Sequence, residues 1–315
     1  MDKPLVSIII ATFNSRRDHL SAAIGSALAQ SWQDVEIIVS DDSPRDELRE
    51  FVASFRDARL RHRHNNPALG VAGNHWAAFA QATGEYIAVL NHDDWIAPSF
   101  VERLALALNE QPEATLAFCD HWVIDVRGRK LEAESERNSR AWGRATLAPG
   151  MHRPFVHLLA NQTIPMAMGA MFRRSALPQA APPDAGPAYD LWLAYLLCCS
   201  GGGAWYVPER LSAWRTHGTS LTSESGLAWL QGSALCWSAM AGDARFGAVR
   251  QLASSKAALS YYACAVREWT HGHRIRCIQF ALRSLRASVT RHGLVAFALP
   301  FIPVGWVRQP FGRRA

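Results

Sequence analysis

The chain has 315 residues, 49% hydrophobic and 19% charged, with a formal net charge of +6. That length buries a full core, enough for one large domain with an appendage, in a soluble protein that leans to the apolar side. Its six cysteines show no C-x-x-C pair and no zinc spacing, so they read as buried thiols in a reducing cytosol rather than as a metal site or a disulfide framework.

The opening Met1-Asp2-Lys3-Pro4 runs straight into a strand, which reads as a start with no signal peptide. The first strand, Val6–Asn14, is a near-continuous apolar run that ends in Ala11, Thr12, Phe13 and Asn14. A helix with Leu20, Ala23, Ile24, Ala27 and Leu28 on one face is expected from Asn14 or Ser15 to about Gln30. A second apolar run, Val35–Ser43, ends in Asp41-Asp42-Ser43. A short strand near 60–64 and an Asn/Pro/Gly loop at 65–70 follow, then a helix from Asn74 to about Thr83. The third apolar run, Glu85–Asp94, ends in Asn91-His92-Asp93-Asp94, and Pro98-Ser99 opens a helix to about Asn109. Runs of this kind are strands covered on both faces in a parallel sheet, and the helical patterns between them make the order βαβ. Ligands in such sheets bind outside the carboxyl ends of the strands, where two of these three tips carry paired acids.

Farther on, a strand is expected from 114 to 120, and 127–149 reads as a charged, irregular excursion of the lid or substrate-contact type. A strand at 166–172 precedes a Pro/Ala/Gly loop at 177–187 and a helix at 189–200. The Gly201-Gly202-Gly203 triplet follows a helix and precedes a strand, so it reads as a turn and not a phosphate loop. Helices are expected at 227–241, 247–270 and 273–291. Residues 1–223 thus form one α/β domain and 224–315 a helical extension.

The third tip is an oxygen-rich cluster suited to Mg²⁺ or Mn²⁺ holding a diphosphate. Asp41 suits the acceptance of a hydrogen bond from a ring N–H, and Phe13 offers a ring face to a base. Taken singly, each acidic pair could be a solvated turn or a helix cap, and Asn74 could be a cap or a ligand contact. His62, His64, His75, His121 and His152 show no partner pattern and read as structural.

In order along the chain, Ala11-Thr12-Phe13-Asn14, Asp41-Asp42-Ser43, Gly70-Val71-Ala72-Gly73-Asn74, Asn91-His92-Asp93-Asp94-Trp95, Tyr189-Asp190-Leu191-Trp192-Leu193 and Trp214-Arg215-Thr216-His217 resemble the motifs of glycosyltransferase family 2 over roughly residues 4–222. The resemblance implies a GT-A (nucleotide-diphospho-sugar transferase) fold, a mostly parallel central sheet flanked by helices. It implies an inverting, metal-dependent transfer of a sugar from a nucleotide diphosphate, UDP-linked, to a glycan or lipid-linked acceptor of surface polysaccharide. Carried over, Ala11, Thr12, Phe13, Asn14, Asp41, Asn74, His92 and Asp93 would line the nucleotide site. Asp93 and His217 would hold the Mn²⁺ or Mg²⁺. The family's catalytic carboxylate falls on Ala188, which leaves Asp190 as the base, with Asp184 the next nearest acid, and the first acid of its D-x-D is Asn91 here. Those two departures motivate an alternative, a catalytically silent nucleotide-binding homologue acting in an assembly at the membrane.

From Arg267 to the end there are nine arginines against one acid, Glu268, a local balance of +8 that leaves −2 for the rest. The apolar stretch 292–307 carries two prolines, is shorter than a spanning helix, and is flanked by arginines. It reads either as a helical cap or as an interfacial segment on an anionic membrane surface, with no nucleic acid as partner. The expected location is cytoplasmic, peripheral to the inner face of the cell membrane.

Overall fold

The computed structural model describes residues 3–180, 182, 185–216, 226–289 and 291–299. The chain forms two compact units, Met1–Glu224 and Ser225–Ala315. The first runs β1 (Val6–Thr12), α1 (Arg17–Leu28), β2 (Val35–Asp41), α2 (Arg49–Ala53), β3 (Leu60–His64), α3 (Gly70–Phe79), β4 (Tyr86–Val89) and β5 (Trp95–Ile96). It continues through α4 (Phe100–Glu110), β6 (Ala114–Ile124), α5 (Glu132–Ala141), β7 (Gly150–His152), α6 (Val156–Ala160), β8 (Ala170–Arg173), α7 (Tyr189–Cys198) and β9 (Gly203–Arg215). The second unit is α8 (Leu227–Gly242), α9 (Arg250–Thr270), α10 (Arg274–Ala287) and α11 (Arg291–Ala298).

One sheet organises the first unit, in the order β3-β2-β1-β4-β8-β6-β9-β5, with β7 also paired to β9. Strands β3, β2, β1 and β4 are mutually parallel, as are β6 and β9. Strand β8 runs antiparallel between β4 and β6. The alternation of the strands explains the two layers around them. Val6, Ile8 and Ile10 of β1 share a core with Leu20, Ala23 and Ile24 of α1 and with Val101 and Leu104 of α4. Each such fully buried Leu or Ile contributes roughly 1.5–3 kcal/mol relative to exposure. In the α3 layer, Phe79 meets Phe172 of β8 edge-on, with ring centroids 5.9 Å apart.

Several expected boundaries move, each for a tertiary reason. Helix α1 begins at Arg17 because Asn14 sits at φ +49°, outside the helical region. Helix α3 begins at Gly70, four residues early, because the Asp42 carboxylate accepts from the Leu69 and Gly70 N–H groups at its start. The 127–149 excursion contains α5, whose Ser135 and Ser139 are buried. Ser135 Oγ accepts from Val123 N–H at 2.9 Å, and Ser139 Oγ donates to Asp120, so this segment is fastened to β6. Strand β6 itself extends to Ile124, because β9 pairs along its whole length. The glycine triplet does turn the chain from α7 into β9, with Gly201 at φ +83°. Among the described residues no helix is long and apolar enough to cross a membrane.

Candidate functional site

The first two tips are locked side by side. Thr12 and Asp41 are register partners across β1 and β2, and Asp42 N–H donates to Thr12 O at 2.9 Å. Just beyond, Ser43 Oγ accepts from Asn14 N–H at 2.9 Å and donates to Asp41 Oδ1 at 2.5 Å. Thr12 Oγ1 also contacts Ser15 Oγ, which helps turn the chain into α1. Phe13 is left 57% exposed at this rim, while Ala11 is buried. Asn74 lies beneath. Its amide nitrogen donates to Thr12 O (3.2 Å) and Ser40 O (3.0 Å), and its oxygen accepts from Asn65 (2.9 Å). Asn74 therefore braces the tips from inside.

Asp41 is fully buried, and its Oδ2 has no hydrogen-bond partner among the described residues. His62 Nε2 lies 4.0 Å from that oxygen, and burial lowers the His62 pKa, which disfavours a charged ring there. A second donor N–H brought to Oδ2 would meet a poised acceptor. Beside these residues, Asn14, Ser15, Arg17, Ser43, Arg45 and Leu48 line a cleft of about 320 Å³.

The third tip divides its acids between two tasks. Asp94 is completely buried, and its Oδ1 accepts from Arg215 N–H at 2.7 Å while Oδ2 accepts from the Asn91 amide at 2.9 Å. Burial first, then the charge of Asp93, raises its carboxyl well above the ordinary carboxylate range. Asp93 is half-buried. Its backbone oxygen accepts from Arg215 Nε at 2.6 Å, and the same guanidinium reaches the carbonyls of Asp125 and Val126. Arg215 thus ties the end of β9 to the third tip. His19 of α1 is buried and its pKa is lowered, by burial first and Arg215 next, with Asp93 opposing. His92 lowers the pKa of buried His75 in α3, which burial pushes down to about 4. Strand β4 pairs in parallel with β1, Val89 opposite Ile9, so the third tip ends at the same edge of the sheet as the first two.

Helix α7 enters the same edge through its first residue. The Tyr189 ring stacks on His75 with centroids 3.7 Å apart, and its hydroxyl donates toward Asn91 Oδ1 at 3.5 Å. Its phenol pKa is raised well above the ordinary value by burial, then by Asp190, Asp94 and Asp93. Asp190, half-buried, accepts from Leu191 N–H at 2.8 Å through Oδ1, and burial raises its carboxyl above the usual range. Ala188 is fully buried. His217 and Asp184 lie outside the described residues, as does the tail beyond Leu299.

Among the described residues no group of three His, Cys, Asp or Glu side chains is placed to hold a metal ion. The donor set still fits a Mg²⁺- or Mn²⁺-type ion in one way. Such ions commonly take one or two carboxylates and complete their shell with substrate phosphates and water. Asp93 is the less buried of the two tip carboxylates and would be the one to reach such an ion, whereas Asp94 and Asn91 bond to each other, to Arg215 and to Tyr189. Sequence reasoning did not single out Ser43, His19, Arg215 or Tyr189 as site residues. Arg215 and Tyr189 stand in the motif segments, but their reach across the fold is a tertiary property.

The sequence model described as "Glycosyl transferase family 2" matches residues 7–179. Over 91 residues the chain is 41% identical to the UDP-Glc:alpha-D-GlcNAc-diphosphoundecaprenol beta-1,3-glucosyltransferase WfaP of Escherichia coli, covering 29% of this chain and 36% of that protein. Across the first such relatives, the matched share of their own length runs from 36% to 66%. Among solved structures, Staphylococcus aureus TarS 1-349 in complex with UDP-GlcNAc superposes with a TM-score of 0.66 at 12% identity, covering 94% of this chain and 89% of that one. The mannosyltransferase PcManGT of Pyrobaculum calidifontis, in complex with GDP-Man and Mn²⁺, gives 0.59 at 14% identity, covering 95% and 85%. These structural likenesses establish a shared GT-A-type fold.

Proposed function

The chain belongs to glycosyltransferase family 2, and on that premise we propose that it moves a sugar from a UDP-linked donor to a lipid-linked or glycan acceptor of surface polysaccharide. The observation that carries the reading is that three strand tips end at one sheet edge, with Thr12 in register with Asp41, β4 paired in parallel to β1, and the third tip tied to β9 by Arg215. The donor class is supported by the UDP-Glc glucosyltransferase among its relatives and by the UDP-GlcNAc complex among its structural neighbours. The diphosphate-lipid acceptor class is supported by the same relative's acceptor.

In this reading Thr12, Phe13 and Asn14 receive the nucleoside, with the exposed Phe13 ring against a base or ribose face. Asp41 Oδ2 accepts the imide N–H of a pyrimidine, while Ala11 and Asn74 shape and brace the pocket floor. Asp93, with His217, holds the divalent cation, and His92 flanks the diphosphate. The cation, when bound, supplies positive charge against the diphosphate leaving group. Asp190 takes the proton from the acceptor hydroxyl. Burial raises its pKa, which makes its carboxylate a stronger base than that of an ordinary aspartate.

The test is to incubate the full chain with a panel of UDP-sugars, a diphosphate-lipid-linked sugar and Mn²⁺, and to measure UDP release. Acceptor-dependent release that is lost in Asp93→Ala supports the reading. A second reading rests on the buried Ala188, which puts no carboxylate at the family's catalytic position. It makes the chain a nucleotide-binding assembly protein, and calorimetric UDP binding without turnover on any donor would select it.

A further inference from the structure

Helix α10 buries one side and leaves the other bare. Cys277, Phe280 and Ala281 enter the core of the second unit with Tyr261, Cys264 and Ala265 of α9. Ser284 Oγ donates to Ala258 O at 2.7 Å from the same side. On the opposite side, at i, i+4, i+7 and i+11, stand Ile275, Gln279, Leu282 and Arg286, all exposed, with Arg283 on the flank. Ile275 is 75% exposed, Val289 just past the helix 80%, and Leu294 and Val295 on α11 57% and 52%. A helix that merely capped its own unit would carry polar residues there.

The charge around these aliphatic side chains has one sign. From Arg267 to Leu299 there are six arginines and one acid, Glu268. That acid is buried, hydrogen-bonded to His273 at 2.6 Å and 3.7 Å from Arg276. The exposed face therefore offers branched aliphatic groups, guanidinium groups and the neutral amide of Gln279, with no carboxylate among them. A nucleic-acid face would present a polar groove, not protruding aliphatics. A second copy docked face to face would set arginine against arginine.

We infer that the exposed face of α10 and α11 docks on an anionic lipid bilayer surface. The aliphatic side chains enter the boundary of the acyl region, and the arginines reach lipid phosphates. The inference is independent of which sugar, if any, the first unit transfers.

Co-sedimentation of the full chain tests it, using phosphatidylcholine vesicles with and without about a third phosphatidylglycerol. Binding is expected to the anionic vesicles and to fall with added salt. Arg283→Gln with Arg286→Gln should weaken it about 25-fold, roughly fivefold for each arginine. Ile275→Ser with Leu282→Ser, on exposed positions that leave the fold intact, should weaken it at least about tenfold. Equal binding to neutral vesicles, absence of binding to anionic vesicles at low salt, or binding unchanged in both variants would overturn the inference. So would a dimer in sedimentation that Ile275→Ser with Leu282→Ser converts to monomer, since a second copy would then occupy the face.

Discussion

The Asn91 amide donates to Asp94 Oδ2 across 2.9 Å, inside a tip where Asp94 is wholly buried. An aspartate at position 91 would set a second carboxylate against that oxygen and remove its donor. Asn91→Asp is therefore expected to lower stability by about 1–3 kcal/mol. Chemical denaturation with an unchanged m-value checks this, and a variant as stable as the parent would contradict the bracing role of Asn91.

Asp93 is expected to behave oppositely. It is half-buried, its backbone oxygen accepts from Arg215 Nε at 2.6 Å, and the asparagine side chain matches its shape. Asp93→Asn should keep the melting temperature within about 2 °C, an effect under ~0.5 kcal/mol. It should reduce UDP release by about 100-fold or more. Loss of fold together with loss of turnover would mean that the carboxylate is structural.

Asp190 gives a pH signature with a definite sign. Its carboxyl pKa is raised by burial in the folded chain, so ionisation is harder folded than unfolded. Its contribution to stability is full below the unfolded pKa of about 4 and is lost as pH rises through the folded value. Asp190→Asn should thus melt higher than the parent at pH 7, with the gap closing near pH 4. Turnover by the same variant should fall by about 10²–10⁴. The rising limb of the parent's pH–rate profile should lie above the ordinary carboxylate range, and a limb at or below it would remove Asp190 as the base.

The strand tips were legible because each β-branched run is buried along its length, Val6–Thr12 and Val35–Asp41 without exception. What escaped was any boundary set by a distant partner. Helix α3 starts where Asp42, 27 and 28 residues away, accepts from Leu69 and Gly70, and no local pattern encodes that. Helix α5 is polar, so its periodicity is faint. What fastens it to β6 is Ser135 bonding to Val123, twelve residues off. The same logic hid Arg215, whose side chain spans to Asp93, Asp125 and Val126. Residue type announced the paired acids at the tips, but only packing separated the inward Asp94 from the more open Asp93.

That Asp42 bond to the start of α3 yields a prediction of its own. Asp42→Ala removes an acceptor for the Leu69 and Gly70 N–H groups and for the Asn65 amide. A loss of about 1–2 kcal/mol is expected, the size of a strong helix cap. Hydrogen exchange should rise first in the opening turn of α3, and uniform destabilisation would point elsewhere.

Behind the third tip, Arg144 Nε meets Asp120 Oδ1 at 2.6 Å, both buried, and Arg144 also donates to Thr163 O at 3.0 Å. Removing Arg144 leaves Asp120 with Arg210 Nε at 3.5 Å as its remaining cation. Arg144→Ala should cost about 2–4 kcal/mol, and the double variant with Asp120→Ala should be less destabilised than the sum of the singles. Additivity in that cycle would deny the coupling.

Arg215 gives the rim its rigidity in advance of any ligand. With its N–H on Asp94 and its guanidinium on three carbonyls, the loop bearing Asp93 loses its conformational freedom while the chain folds. In the proposed function a diphosphate then need not order that loop itself, and immobilising one such side chain late would weaken association by about 0.5–1.5 kcal/mol. Affinity at this edge is in that sense set during biosynthesis, by a residue that need never touch the sugar.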